Sequence, residues 1–297
     1  LSTPIVFSEK LLTVESRATQ DIEISAIFTR PQDRKQASKV LDQAKQALEY
    51  YTSIYGKPSV KKIALVHFPT LGLWGKTGNG LIFLGDQAFS TSYIGGNHYT
   101  ERFIDYLVSH EVAHLWSGIG TDVNFFSDNV LSEGLAEYMA FDYMENKYGR
   151  NGTWYSPSAN SLTSYIATVA TERPAYAYSF SSQQNPLLSY LSLRKQGWDE
   201  AEIKRLDQTH LQARKAHWYD KGQYLFRMLE ESLGRKNFQT GLKYYFANSD
   251  PRSNSLVQLQ RALERKSGKD LDPFLSAWFF TDAAVDYSVN SIQSVKE

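Results

Sequence analysis

No cysteine occurs among the 297 residues, which excludes disulfides, thiolate metal ligands and a cysteine nucleophile. An excess of charge of one sign is missing too. The 32 Lys plus Arg are balanced by 32 Asp plus Glu with no basic block, so neither nucleic acid nor an anionic membrane surface is the expected partner. No apolar run approaches the length of a bilayer-spanning segment. None of this fixes a compartment, although 19 tyrosines without a cysteine lean toward an extracytoplasmic bacterial setting. Histidine is scarce, with six in the chain, so two of them at a chemically meaningful spacing carry weight.

That spacing occurs in His110-Glu111-Val112-Ala113-His114. Residues four apart share a helix face, so both imidazoles point to a common place, a bite that suits a tetrahedral zinc ion. Glu111 lies one step round the helix, beside such an ion rather than on it, where a general base for water belongs. A third ligand from a second helix would leave one position open for water, the mark of a catalytic rather than a structural site. Glu133, nineteen positions after His114, is the candidate. From composition, a chance His-Glu-x-x-His has odds of about 1 in 100 to 1 in 200. Phe103, Ile104, Leu107, Val108, Val112 and Leu115 recur at helical spacing, which puts the motif on an amphipathic helix with Thr100 as its N-cap. The plain alternative is a pair of packed or solvated histidines beside a surface glutamate.

The stretch resembles the gluzincin zinc aminopeptidases, the family of the alanyl and leucyl aminopeptidases and the leukotriene hydrolase. Those proteins carry His-Glu-x-x-His, eighteen intervening residues, and a Glu in an Asn-Glu-Gly-Phe-Ala context. Here residues 115–132 make the same gap and Ser132-Glu133-Gly134-Leu135-Ala136 follows. Trp116, Gly118 and Phe125-Phe126-Ser127-Asp128 fall where the family has Trp, Gly and Trp-Trp-x-Asp. The match is specific over residues 100–140 and looser elsewhere. The resemblance implies an α+β fold, a thermolysin-like zinc peptidase catalytic domain with a small mixed α/β lobe and a mostly helical C-terminal lobe. It also implies one Zn²⁺ per chain on His110, His114 and Glu133, and a peptide substrate. Tyr219-Asp220-Lys221-Gly222 looks like the family's Tyr-Glu-Lys-Gly run, whose phenol hydrogen-bonds the developing oxyanion, and that role is carried to Tyr219. The long separation of Tyr219 from Glu133 implies an insertion around residues 150–210.

One segment departs from the pattern. The family places Gly-Ala-Met-Glu-Asn just before Gly-Leu-Ile, and its Glu holds the substrate's free α-amine. Aligning on Gly80-Leu81-Ile82 puts Thr77 at that Glu and Gly78 at the Asn. A hydroxyl cannot give an ammonium the charge-assisted bond of a carboxylate. The loop 74–79 is read either as a substrate-binding loop built on Gly75, Thr77 and Gly78, where glycines let a peptide approach closely, or as a plain turn.

Around this centre the chain is long enough for one bilobal unit or two domains. Residues 1–30 read as a β segment, the tail of a preceding domain or the entry to a sheet. Residues 31–280 read as the catalytic domain, with an α/β lobe at 31–99 and a metal-site and helical lobe at 100–280. Residues 281–297 read as the start of a following β segment. A helix is expected over 36–55 with Gly56 and Pro58 as stops, and strands over 62–68 and 80–84. Asp128 is expected to cap a helix that carries Glu133 and, one turn on, Glu137, which could orient a ligand imidazole from behind. Gly134 suggests close packing of that helix on the metal helix. A connection with short helices is expected over 150–200, helices over 237–247, 256–265 and 271–280, and strand again over 284–289. His217 reads as structural. Both termini look like seams, so further domains flanking this unit are expected in a longer protein.

Three functions fit the sequence. The first is a zinc metallopeptidase with an aminopeptidase-like site. The second is an endopeptidase, or a hydrolase of a non-peptide ligand, with the same zinc site. The third is a non-catalytic binding domain that keeps the fold.

Overall fold

A computed structural model describes residues 13–19, 21–69, 74–89, 98–123, 128–149, 194–195, 197, 216–249 and 255–281. Among the described residues five strands form one sheet in the order β1-β2-β3-β5-β4: β1 (Thr13–Thr19), β2 (Ile22–Phe28), β3 (Lys62–Phe68), β4 (Gly75–Thr77) and β5 (Leu81–Gly85). β2, β3 and β5 run parallel, and β1 and β4 pair antiparallel at the two edges. The first two strands thus belong to the same sheet as the rest of the α/β lobe. Alternation in β2 decides its faces: Ile22, Ile24, Ala26 and Phe28 are buried, while Glu23 is exposed.

The β2–β3 crossover is α1 (Arg34–Tyr55), as a parallel connection requires. Val40, Leu41, Ala44, Ala47, Leu48, Tyr51 and Tyr55 make its buried stripe. Truncating Leu41 or Leu48 to Ala, both essentially inaccessible, would cost roughly 2–5 kcal/mol by cavity creation. After a short α2 (Asp86–Phe89) comes α3 (His98–Ala113), which packs on α1 and opens two residues before the expected cap Thr100. Two hydrogen bonds set its position: Tyr51 Oη donates to Ser109 O at 3.2 Å, and the indole of Trp116 to Gly56 O at 3.0 Å.

Among the described residues the helices that follow include α4 (Leu135–Tyr148), α5 (Gly222–Leu233), α6 (Arg235–Asn248), α7 (Leu256–Ser267) and α8 (Asp272–Trp278). α6, α7 and α8 agree closely with the helices expected over 237–247, 256–265 and 271–280. Gly268 ends α7 in the left-handed region at φ +70°, the usual helix stop. The expected elements over 150–193, 198–200 and 284–289 lie outside the described residues. The result is a small mixed α/β lobe beside a mostly helical one, with α3 between them.

Candidate metal and catalytic site

α3 brings His110 and Glu111 to its last turn, and the turn that follows carries His114; all three are buried. The two imidazoles lie 4.9 Å apart, centre to centre, nearly perpendicular. The third acidic group arrives on a different kind of backbone. Val130–Gly134 is a π-helical turn ahead of α4, a widened form that recurs at functional sites. It aims Glu133 Oε2 at both rings, 3.3 Å from His110 Nε2 and 3.4 Å from His114 Nε2. His110, His114 and Glu133 each contribute one ligand atom to a group lying within 4.8 Å of one another, so they could hold a metal ion.

Glu137 Oε2 lies 2.9 Å from Nδ1 of His110. Glu137 and Glu133 thus stand at opposite ring nitrogens of His110. Glu137 in turn accepts a hydrogen bond from Tyr106 Oη. Tyr106 was missed from the sequence, although its place four residues before His110 puts it on the same helix face. Burial opposes a charge on His110, but Glu133 and Glu137 outweigh it and hold the imidazole well above its ordinary value. Burial likewise opposes ionisation of Glu133, and His114 and His110 overcome it to hold the carboxyl well below the usual range.

Tyr219 reaches the site from a second π-helical turn, Ala216–Lys221, ahead of α5. Its ring stacks on His110 at 5.7 Å with 19° between the planes. Burial first, and then the carboxylates of Glu133, Glu137 and Glu111, push its phenol well above the ordinary range, so it is a neutral hydrogen-bond donor. A cavity of about 320 Å³ opens here, lined by Gly75 and Thr77 of β4, Glu111 and His114 at the end of α3, and Glu133 and Tyr219.

Several expectations need correction. Trp74–Asn79 is not simply a loop, because Gly75–Thr77 is the edge strand β4. Gly78 closes the β4–β5 hairpin, its N–H donating to Leu81 O at 2.7 Å. Asp128 stands immediately before Asn129, the first helical residue, and offers its main-chain oxygen to Leu131 N at 2.9 Å. The close packing at Gly134 is against the Tyr219 segment rather than the metal helix, since a Cβ there would lie 2.9 Å from Trp218 O. His217 is buried.

A mixed sheet flanked by a His-Glu-x-x-His helix and a helical lobe defines the thermolysin-like gluzincin class of metallopeptidase folds. The Peptidase family M1 domain matches residues 39–278, and the chain belongs to that family. Among its relatives, aminopeptidase N of Lactococcus lactis subsp. cremoris is 24% identical over 283 residues, covering 92% of this chain and 30% of that protein. Tricorn protease-interacting factor F2 of Thermoplasma volcanium is 23% identical over 239 residues, covering 80% of this chain and 28% of that protein. The fold is similar to that of Legionella pneumophila aminopeptidase A, solved in complex with aspartic acid. The TM-score is 0.64 at 17% identity, covering 92% of this chain and 28% of that one. The chain thus spans under a third of the length of these relatives.

Proposed function

We propose that this chain is the catalytic domain of a zinc-dependent metallopeptidase that hydrolyses peptide bonds, with an aminopeptidase-like site that lacks the usual amine-anchoring glutamate. The observation that carries the reading is the convergence of His110, His114 and Glu133. Tetrahedral zinc with bonds of about 2.0–2.1 Å has ligand-to-ligand edges of about 3.3–3.4 Å, and Glu133 Oε2 stands 3.3 and 3.4 Å from the two Nε2 atoms. Two imidazoles and a carboxylate are also a donor set that zinc favours.

When bound, the ion supplies Lewis acidity that acidifies water and polarises a scissile carbonyl. Glu111 takes the proton of the attacking water and delivers it to the leaving amine. Tyr219 donates its phenolic proton in a hydrogen bond to the oxygen that gains charge, an interaction stronger in the transition state than in the ground state. Glu137 keeps His110 in the tautomer and orientation that a ligand needs. The α/β lobe, with β1 and β2 in its sheet, and the helical lobe form the catalytic unit, and the greater length of the relatives supports flanking domains in the full-length protein.

The test is Glu111→Gln, assayed on a short peptide. The variant should keep its zinc and lose turnover, and near wild-type activity would overturn the assignment. A second reading, an endopeptidase with the same zinc site, is favoured by one observation: the hydroxyl of Thr77 is directed at Glu111, so residue 77 offers no carboxylate to a substrate amine there. Comparing the same peptide with free and acetylated N-termini separates the two. Comparable cleavage of both makes it an endopeptidase, and cleavage of the free form alone means that an amine anchor lies elsewhere.

A further inference from the structure

We infer that Thr77 is a positioning residue for Glu111, an inference that rests on the reading of Glu111 as the general base. β4 and the end of α3 are far apart in sequence, and the contact between them is specific. Successive strand residues face opposite sides, so Gly75 and Thr77 present the same face to α3 while Lys76 is exposed. Gly75 has no Cβ, and one built there would stand 2.5 Å from Glu111 Cγ and 2.6 Å from its Oε1. The other carboxylate oxygen, Oε2, lies 2.7 Å from Thr77 Oγ1. One side of the carboxylate is therefore seated on the bare backbone of residue 75, and the other is held by the hydroxyl of residue 77. Opposite Ile82, which is inaccessible to solvent, Thr77 is fixed by the antiparallel register of β4 on β5.

Thr77 Oγ1 is also 2.8 Å from the main-chain oxygen of Glu111. A hydroxyl has one hydrogen to give, and the charged acceptor forms the stronger bond. Because the hydroxyl also accepts, the same contact can persist once Glu111 carries the water's proton. The side chain at residue 77 thus has a task within this chain that differs from holding a substrate amine: it removes rotameric freedom from a flexible glutamate that must meet water at one place.

The experiment compares Thr77→Val, which keeps the shape and loses the hydroxyl, with Thr77→Ser, which keeps the hydroxyl. Steady-state peptide hydrolysis, zinc affinity by chelator competition and melting temperature are measured on each, with Glu111→Gln alongside. Thr77→Val should lower kcat about 10-fold, equivalent to about 1.4 kcal/mol on the barrier, with KM, zinc affinity and melting temperature close to wild type. Thr77→Ser should restore most of kcat. Wild-type kcat in Thr77→Val overturns the inference, as does a rise in KM alone, which would make Thr77 a substrate contact. A loss of zinc or of thermal stability that accounts for the lost activity also overturns it, since the role would then be structural. Activity in Glu111→Gln would instead remove the reading beneath it, so the two failures are distinguishable.

Discussion

Gly134 and Gly222 meet backbone to backbone: a Cβ on either would stand 3.0 Å from the Cα of the other. Gly134 follows Glu133 directly, and Gly222 begins the helix that the Tyr219 turn leads into. The contact therefore sets the spacing between a candidate metal ligand and the candidate oxyanion donor. Gly134→Ala also meets Trp218 O at 2.9 Å, a main-chain atom that cannot rotate away. Overpacking of this kind costs about 1–3 kcal/mol. We expect Gly134→Ala and Gly222→Ala to lower the melting temperature by roughly 2–4 °C for each kcal/mol and to lower kcat more than the stability loss explains. Calorimetry and steady-state assays on the same preparations check this.

Tyr106, Glu137 and His110 form a chain in which each polar group orients the next. Removing a partner behind a ligand imidazole typically costs about 10–100-fold in metal affinity. Glu137→Gln is expected within that range, and Tyr106→Phe to a smaller extent because Glu137 would still face His110. Zinc competition against a chromogenic chelator measures both, and wild-type affinity in Glu137→Gln would remove this role.

Tyr219→Phe keeps the ring that stacks on His110 and deletes the donor. Loss of one preorganised oxyanion donor costs about 100–1,000-fold in kcat. We expect a fall of that order with little change in KM or zinc content. A change confined to KM would make Tyr219 a substrate contact.

Away from the cavity, Asp142 is 1% exposed and ties three helices. Tyr50 Oη of α1 donates to its Oδ2 at 2.9 Å, and a guanidinium nitrogen of Arg235 on α6 lies 2.7 Å from its Oδ1. Arg235→Met leaves a buried carboxylate with one partner fewer. The cost is expected at about 1–3 kcal/mol, below that of a fully buried pair because the Arg235 side chain is 48% exposed. The melting temperature should fall while turnover per folded molecule stays unchanged.

The metal helix and most of the scaffold were legible from local pattern alone. Strand 62–68 and the long α1 follow from periodicity and stop residues, and His110 and His114 from the four-residue geometry of one helix. The two π-helical turns were not. A π turn differs from an α turn by one residue and has no composition of its own, so Glu133 was expected on the regular helix of Glu137. The partner of Gly134 lies far along the chain, which is why the wrong helix was expected to pack on it. Alignment puts Thr77 at the place of the missing anchor, and its bond to Glu111 spans 34 residues and depends on tertiary pairing that no local signal encodes.

We propose that a single zinc ion on His110, His114 and Glu133 drives peptide hydrolysis. This is tested most directly by titrating zinc into chelator-stripped protein while following cleavage of one short peptide, with Glu133→Ala as the control. Activity should rise linearly and break at one equivalent of zinc per chain, with neither tight zinc nor turnover in the control. Turnover in the metal-free protein, or a break at one equivalent that survives Glu133→Ala, would contradict it.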